Sequence, residues 1–151
     1  MEPNQITRVR PMTPGDTEAV AELAGQLGYP STPAEIERRF RAIDGDPGSL
    51  VMVAEDSKGT VLAWIHVFAN HLLESDGAAE VGGLVVDSRA RGQGVGKRLM
   101  EAAESWAREH GYAKVCVRSN TIRLETHKFY QHLGYTILKS QHKFQKSLRE
   151  P

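Results

Sequence analysis

A strand, a glycine-rich loop and the start of a helix follow one another in the sequence Leu84-Val85-Val86-Asp87-Ser88-Arg89-Ala90-Arg91-Gly92-Gln93-Gly94-Val95-Gly96-Lys97-Arg98. The alternating glycines allow a positive φ and let the backbone come close to a ligand. The loop then opens into a helix N-terminus, where unpaired N–H groups and the helix dipole favour an anion. Because Arg91, Lys97 and Arg98 add positive charge, this stretch predicts a site for a phosphate group.

Two common nucleotide-binding loops do not fit this stretch. The P-loop pattern Gly-x4-Gly-Lys-Ser/Thr is absent from it. The dinucleotide pattern Gly-x-Gly-x-x-Gly fails as well, because Gly92, Gly94 and Gly96 alternate and Lys97 follows them. A flexible turn that only caps the helix is the remaining alternative. The strand before the loop and the helix after it favour the phosphate site.

Length, composition and charge predict one domain over residues 1–151. The chain has 151 residues, of which 40% are hydrophobic, and its 19 basic residues balance 19 acidic ones. A net charge of zero argues against a nucleic-acid partner, which usually requires a basic face. No apolar run approaches the ~20 residues of a membrane span, so no membrane partner is expected. Residues 1–5 lack the features of a signal peptide, which predicts a cytoplasmic protein.

Cysteine and histidine usage predicts neither a disulfide nor a metal site. The single Cys116 lies in an apolar run and is expected to be a small buried hydrophobic residue. The six histidines show no spacing typical of metal ligands.

Hydrophobic periodicity and turn residues predict an α/β (α+β) fold with a mixed sheet and the element order β-α-α-β-β-β-α-β-α-β-β. The predicted strands are 6–10, 50–55, 60–68, 79–86, 113–118, 135–138 and 141–148, and the predicted helices are 13–27, 31–43, 95–110 and 124–133. The segment 79–118 has the length of a right-handed crossover between parallel strands. The strands before it are predicted to be antiparallel. The last two strands are predicted to form a closing hairpin whose edge could support a homodimer.

The loop motif Arg91-Gly92-Gln93-Gly94-Val95-Gly96 matches Gln/Arg-x-x-Gly-x-Gly/Ala and resembles the GNAT superfamily of N-acetyltransferases. Residues 84–87 look like the fourth strand of that family, and residues 115–120 and 129–135 look like its fifth strand and closing helix. The spacing between Asn120 and Tyr130 is closer to the aminoglycoside and aminoalkylphosphonate acetyltransferase branch. Thr126 departs mildly from that branch, which often has Ala there. The match is specific from about Glu80 to Tyr135.

The resemblance implies a GNAT-like acyl-CoA N-acyltransferase fold with acetyl-CoA as co-substrate. Backbone groups of Leu84, Val85 and Val86 would pair with pantetheine as an added strand, and the Val86 amide would polarise the thioester carbonyl. Asn120 would contact the pantetheine arm. The CoA pyrophosphate would be held by the loop, whose implied cofactor-binding residues are Arg91, Gly92, Gln93, Gly94, Val95, Gly96 and Lys97.

Two side chains are candidates for proton transfer. Tyr130 matches the family tyrosine, and the resemblance implies that it is the acid that protonates the leaving thiolate. The alternative is that Tyr130 is an aromatic residue of the core. Glu80 is the only acid inside the strand 79–86 and is the candidate base for the amine, directly or through water. A surface carboxylate is the alternative for Glu80. Simple alternation places Glu80, Gly82, Leu84 and Val86 on one face, although a bulge in the strand would alter this.

Other polar side chains are weaker candidates for the site. His127 lies one helical turn before Tyr130 and could share its face. Trp64 and His66 on the third strand could contact the acceptor. Glu74 and Asp76 fall in the following loop, where a solvated loop is the alternative to substrate contact.

Together these features predict an enzyme that transfers acetyl from acetyl-CoA to a primary amine of a small molecule by direct attack in a ternary complex. One alternative is a protein acetyltransferase that acts on Lys or on an N-terminus. The other is a non-catalytic, CoA-binding regulatory module. The sequence does not identify the acceptor. The first two helices and the loops supply acceptor sites in this fold, whereas the resemblance is specific only from about Glu80 to Tyr135.

Overall fold

A computed structural model describes residues 5–150 of the chain. The chain divides into two compact units, 1–118 and 119–151, and each is described by itself. The single domain over residues 1–151 stays a prediction. No helix among the described residues is long and apolar enough to cross a membrane.

The first unit is built on a five-stranded sheet with the order β1-β2-β3-β4-β5. Neighbouring strands from β1 to β4 are antiparallel, whereas β4 and β5 are parallel. The parallel pair is joined through a helix, as the length of the segment predicted. This mixed sheet confirms the predicted fold class. The strands are β1 (Ile6–Pro11), β2 (Ser49–Asp56), β3 (Val61–Asn70), β4 (Ala78–Val86) and β5 (Val115–Val117).

Three helices cover the two faces of this sheet: α1 (Thr17–Leu27), α2 (Pro33–Ile43) and α3 (Val95–Glu109). Helix α2 begins at a capping box in which Thr32 and Glu35 each accept a hydrogen bond from the other's backbone N–H. Helices α1 and α2 pack on one face through a core of Met12, Val20, Leu23, Phe40, Val53, Val61 and Val85. The fully buried Ile65 and Val67 point to the opposite face, where α3 packs through Leu99, Met100 and Ala103.

A β-bulge in β4 changes which side chains share a face. Val81 pairs with Val67, whereas His66 pairs with Gly83, so Gly82 is the extra residue. The predicted common face of Glu80, Leu84 and Val86 is therefore wrong. Glu80 lies on the α1–α2 side of the sheet with Gly83 and Val85, because cross-strand partners share a face.

Among its described residues, the second unit contains one helix, α4 (Leu124–His132), and Gly134, two residues after the helix, has a left-handed φ of 96°. The described residues after it, 133–150, form no helix or strand. The predicted strands 135–138 and 141–148 are therefore wrong. Alternating apolar and polar residues form a stable hairpin only when one face is buried. Here the apolar side chains stay exposed, by 65% at Ile137, 84% at Leu138, 91% at Phe144 and 91% at Leu148.

Asp87, directly after β4, ties the end of that strand to α1. Its side chain is buried and accepts hydrogen bonds from the Arg89 backbone N–H (2.8 Å) and the Arg89 Nε–H (3.0 Å). The Gln26 side chain of α1 donates to Asp87 at 3.4 Å and accepts from the Ser88 N–H at 3.1 Å. The hydrogen bonds from the Arg89 side chain lower the pKa of Asp87 to about 2.

We expect Asp87→Asn to destabilise the protein at pH 7 by roughly 1–2 kcal/mol, because a charge-assisted network is lost. A carboxylate whose pKa is lowered on folding stabilises the protein at pH values above ~4, the ordinary pKa of an aspartate. That contribution is lost as the pH falls towards about 2. Urea unfolding between pH 7 and pH 3 should therefore show a smaller loss of stability for the variant than for the wild type.

The control is Asp76→Asn, which neutralises an exposed acid of the β3–β4 loop and should keep the wild-type pH dependence. If Asp87→Asn and wild type lose the same free energy of unfolding on acidification, the network does not depend on the Asp87 charge.

Candidate functional site

The glycine-rich loop has the geometry of an anion site. Gly92 and Gly94 have positive φ values of 79° and 77°, and Gly94 is the N-cap of α3. The first helical hydrogen bond runs from the Arg98 N–H to the Gly94 carbonyl (3.1 Å), so the amides just before Arg98 have no partner within the helix. A Cβ at Gly92 or Gly94 would meet no atom within 4 Å. The space in front of the loop is therefore wide enough for a ligand to approach the backbone.

Arg91 folds back from the loop onto β4. Its Nε–H donates to the Val86 carbonyl at 3.0 Å. This bond occupies one of the backbone groups that the sequence assigned to pantetheine pairing. It also fixes the loop to the end of the strand that precedes it.

Two further cations of the loop region also have protein partners. Arg98 donates from Nη1 to the Ile6 carbonyl of β1 at 3.3 Å, and the Lys97 Nζ lies 4.0 Å from Glu101. A cavity of about 430 Å³ lies beside this turn of α3, with Gln5, Ile6, Gln93, Val95 and Arg98 in its lining. The first turn of α3 thus carries an exposed guanidinium beside a cavity on the β1 side.

Strand β4 extends beyond its pairing with β5. The last parallel pair joins Val81 to Val117. Leu84, Val85 and Val86 lie past that point and pair with β3 on their other edge. An extended ligand can add to such an edge through backbone hydrogen bonds. The edge leads directly to the loop, so the two predicted parts of a CoA site are continuous in the first unit.

Glu80 is held by two side chains that sequence reasoning missed. Its Oε1 accepts from the Asn70 Nδ2 at 3.4 Å and from the Arg118 Nε at 3.3 Å. The Glu80 side chain is 13% exposed and the Arg118 side chain 69%. The register explains the ion pair, because Glu80 lies opposite Cys116, two residues before Arg118. Cys116 is half-buried rather than fully buried.

Three aromatic residues of β3 line the same face as Glu80. Trp64, His66 and Phe68 alternate with buried aliphatic residues, and the β4 bulge provides their space. Among the described residues, the buried Trp64 Nε1 and His66 Nε2 have no hydrogen-bond partner. Burial lowers the pKa of His66, so its ring is neutral at pH 7.

Tyr130 is buried within α4 of the second unit. Its ring makes edge contacts with Phe129 (5.0 Å) and Tyr135 (6.0 Å between centroids). Burial raises the pKa of Tyr130, and the positive charge of Arg123 partly opposes this. The phenol is therefore protonated at neutral pH, as a proton donor must be.

Asn120 and His127 are joined to each other in the second unit. The His127 Nε2 lies 2.9 Å from the Asn120 carbonyl, and the Asn120 Oδ1 accepts from the Ile122 N–H at 3.2 Å. His127 thus ties α4 to the turn that precedes it. The predicted role of His127 in lining a site stays a prediction.

Within residues 5–150, no group of three or more His, Cys, Asp or Glu side chains could hold a metal ion.

A family model described as "Acetyltransferase (GNAT) family" matches residues 17–135. The chain belongs to the GNAT family. This confirms the resemblance seen in the loop motif.

Known proteins and solved structures resemble this chain to different extents. N-acetylaspartate synthetase of Rattus norvegicus is 33% identical over 102 residues, which is 68% of this chain and 32% of that protein. This chain thus spans about a third of the length of that relative. The crystal structure of a transcriptional regulator from Bacillus halodurans C-125 superposes with a TM-score of 0.82 at 26% identity, covering 94% of this chain and all of that one.

An aminoglycoside 6'-N-acetyltransferase from Acinetobacter haemolyticus has the same fold at 16% identity. The TM-score is 0.82, and the match covers 95% of this chain and 100% of that one. The GNAT architecture is therefore retained where few residues are shared.

Gly83 gives a direct test of the packing on the Glu80 face. A Cβ at this position would lie 2.8 Å from Trp64 Cη2 and 2.9 Å from Cζ3, so Gly83→Ala must displace the indole. We expect a loss of roughly 1–3 kcal/mol in unfolding free energy and a changed near-ultraviolet circular dichroism spectrum.

The matched control is Gly25→Ala in α1, where an added Cβ meets nothing within 4 Å. That variant should gain roughly 0.5–1 kcal/mol, because alanine favours a helix over glycine. Equal stability of the Gly83→Ala variant and the wild type would contradict the close contact.

Proposed function

We propose that this GNAT protein transfers acetyl from acetyl-CoA to a primary amine of a small molecule, by direct attack in a ternary complex. The observation that carries the proposal is the continuity of the β4 edge beyond β5, the left-handed glycines and the N-terminus of α3. The edge offers backbone pairing to an extended chain, and the loop offers amides to a diphosphate. Those two features together fit CoA better than a nucleotide alone.

The residues of the loop, Arg91, Gly92, Gln93, Gly94, Val95, Gly96 and Lys97, would hold the pyrophosphate. Backbone groups of Leu84 and Val85 would pair with the pantetheine arm, and Asn120 would contact it. The Val86 N–H would stabilise negative charge on the carbonyl oxygen. Because the Val86 carbonyl accepts from Arg91, the amide is the group that this residue contributes.

Bound acetyl-CoA supplies an activated acetyl group as its thioester. The amine nitrogen forms a bond to the acetyl carbon, and the carbon–sulfur bond breaks. Glu80, directly or through water, would take a proton from the amine, and Tyr130 would donate a proton to the sulfur. The raised pKa of Tyr130 keeps its proton available at neutral pH.

The names of two similar proteins support a small-molecule acceptor. Rat N-acetylaspartate synthetase and the Acinetobacter haemolyticus aminoglycoside acetyltransferase are both named for small amines or their acetylated products. Their substrates differ, so they support the class of acceptor and no single compound. The cytoplasmic location, the single domain and a homodimer stay predictions.

The direct test is acetyl transfer with purified protein, acetyl-CoA and a panel of amines that includes a lysine peptide. We expect thiol release with small amines, and a roughly 100-fold or greater loss of kcat in Tyr130→Phe, because general acid help is removed. Tyr112→Phe is the control, since it removes a phenol that hydrogen-bonds to His71 at 3.1 Å. Unchanged turnover in Tyr130→Phe would rule out the acid role, and acetylation of the peptide alone would favour a protein acceptor.

The loop is tested separately by replacing both Gly94 and Gly96 with valine. A β-branched residue at the left-handed Gly94 position is strained, and its side chain would fill the space before the amides. We expect CoA affinity to fall at least about tenfold in calorimetry. Gly111→Val, at a left-handed glycine beyond the end of α3, is the matched control for strain alone. Wild-type CoA affinity in the double variant would contradict the loop assignment.

A second candidate is a non-catalytic CoA-binding regulatory module. The 26% identical protein from Bacillus halodurans is named a transcriptional regulator, which favours this candidate. Tight acetyl-CoA binding with no turnover of any amine, and no effect of Tyr130→Phe on binding, would support it over the enzyme.

A further inference from the structure

The ion pair between Glu80 and Arg118 places opposite charges side by side on the face that carries the proposed base. The Arg118 Nε lies 3.3 Å from the Glu80 Oε1. The register of β3 and β4 puts Trp64, His66, Phe68, Asn70 and Glu80 on this face. Glu80 is the one acid among them, and Arg118, at the end of β5, is a cation that contacts it.

Arg118 is far more accessible to a solute than Glu80. The Arg118 side chain is 69% exposed and that of Glu80 is 13% exposed. A guanidinium carries five N–H donors in a planar fork that matches a carboxylate. An exposed guanidinium can therefore exchange a carboxylate partner within the protein for an incoming carboxylate.

The aromatic side chains of this face add no charge to the pair. Trp64 and Phe68 are apolar aromatics, and His66 is neutral at pH 7 because it is buried. A polycationic acceptor would meet the Arg118 charge beside Glu80. An acceptor with one positive and one negative group would meet an opposite charge for each.

We propose that Arg118 binds a carboxylate of the acceptor, and that the acceptor is an amino acid whose amine is presented to Glu80. This inference rests on the proposed acetyl transfer and names the class of its acceptor. The acceptor carboxylate takes the guanidinium as its partner, and Glu80 is released from that ion pair to receive the amine proton. Arg118 is thus a binding residue that also controls the proposed base.

The experiment uses the full chain with acetyl-CoA and matched acceptors: L-amino acids with small and acidic side chains, their amides, and the amines that lack the carboxylate. We expect the wild type to prefer the acids by about tenfold or more in kcat/KM. Arg118→Gln should raise KM for the preferred acid by about 10- to 100-fold, since a charged hydrogen-bonding pair is lost. KM for the matched amide should change by no more than about twofold. Arg118→Lys should keep part of the affinity, because the positive charge is retained although the planar fork of N–H donors is lost.

The matched control is Arg41→Gln, which removes an exposed arginine paired with Glu37 on α2 and should behave as wild type. Equal turnover of acids and amides by the wild type would overturn the inference and leave acetyl transfer standing. An equal loss with both acceptors in Arg118→Gln would do the same, since it would show that Arg118 only orients Glu80.

A failure of the proposed function gives a different result, because no acceptor is then acetylated. In that case calorimetric titration of the CoA-bound protein with the same acids and amides decides the inference. Binding of an acid but not its amide, lost in Arg118→Gln, supports it. Absence of that selective binding overturns it.

Discussion

The bulge at Gly82 sets the position of every group on the proposed acceptor face. A strand with regular alternation would turn Glu80 to the same side as Leu84, towards the face covered by α3. The extra residue reverses that relation, so Glu80 shares a face with Gly83, Val85 and the aromatic side chains of β3. The two adjacent glycines make this possible, because a Cβ at either would press on the rings of His66, Phe68 or Trp64. The charged pair therefore lies on the face that α1 and α2 border.

The same strand serves the other half of the site through its edge. β4 pairs with β5 as far as Val81 and then continues alone on that side to Val86. Its last carbonyl accepts a hydrogen bond from Arg91, which ties the loop to the strand end. Arg91 and Arg98 each donate to a backbone carbonyl, so the backbone amides of the loop are the proposed ligands of an anion. This arrangement favours a diphosphate recognised by geometry rather than by a cluster of free cations.

Local signals in the sequence predicted the parts of this molecule that depend on local structure. The start of α3 after Gly94, the helix predicted over 31–43 and the crossover from β4 to β5 follow from short-range rules. Alternation did not predict the bulge, because β4 is apolar on both faces there and an extra residue leaves that pattern unchanged. The pair Gly82-Gly83 was the available signal. Arg118 was missed because its proximity to Glu80 depends on the register of two strands far apart in the chain. The predicted closing hairpin was wrong because Phe144 and Leu148 follow the alternation of a strand but are not buried against a core.

Gln26 has a consequence for how such a protein can change its substrate. Its amide group bonds at one end to Asp87 and at the other to the Ser88 backbone, so a residue of the first helix supports the turn that leads into the phosphate loop. Other exposed residues of α1 do not make these two hydrogen bonds, so changing them should leave that support in place. A change of Gln26 removes both bonds, so the start of the glycine-rich loop would lose this tie to α1. A mutant library that seeks a new acceptor should therefore keep Gln26 constant.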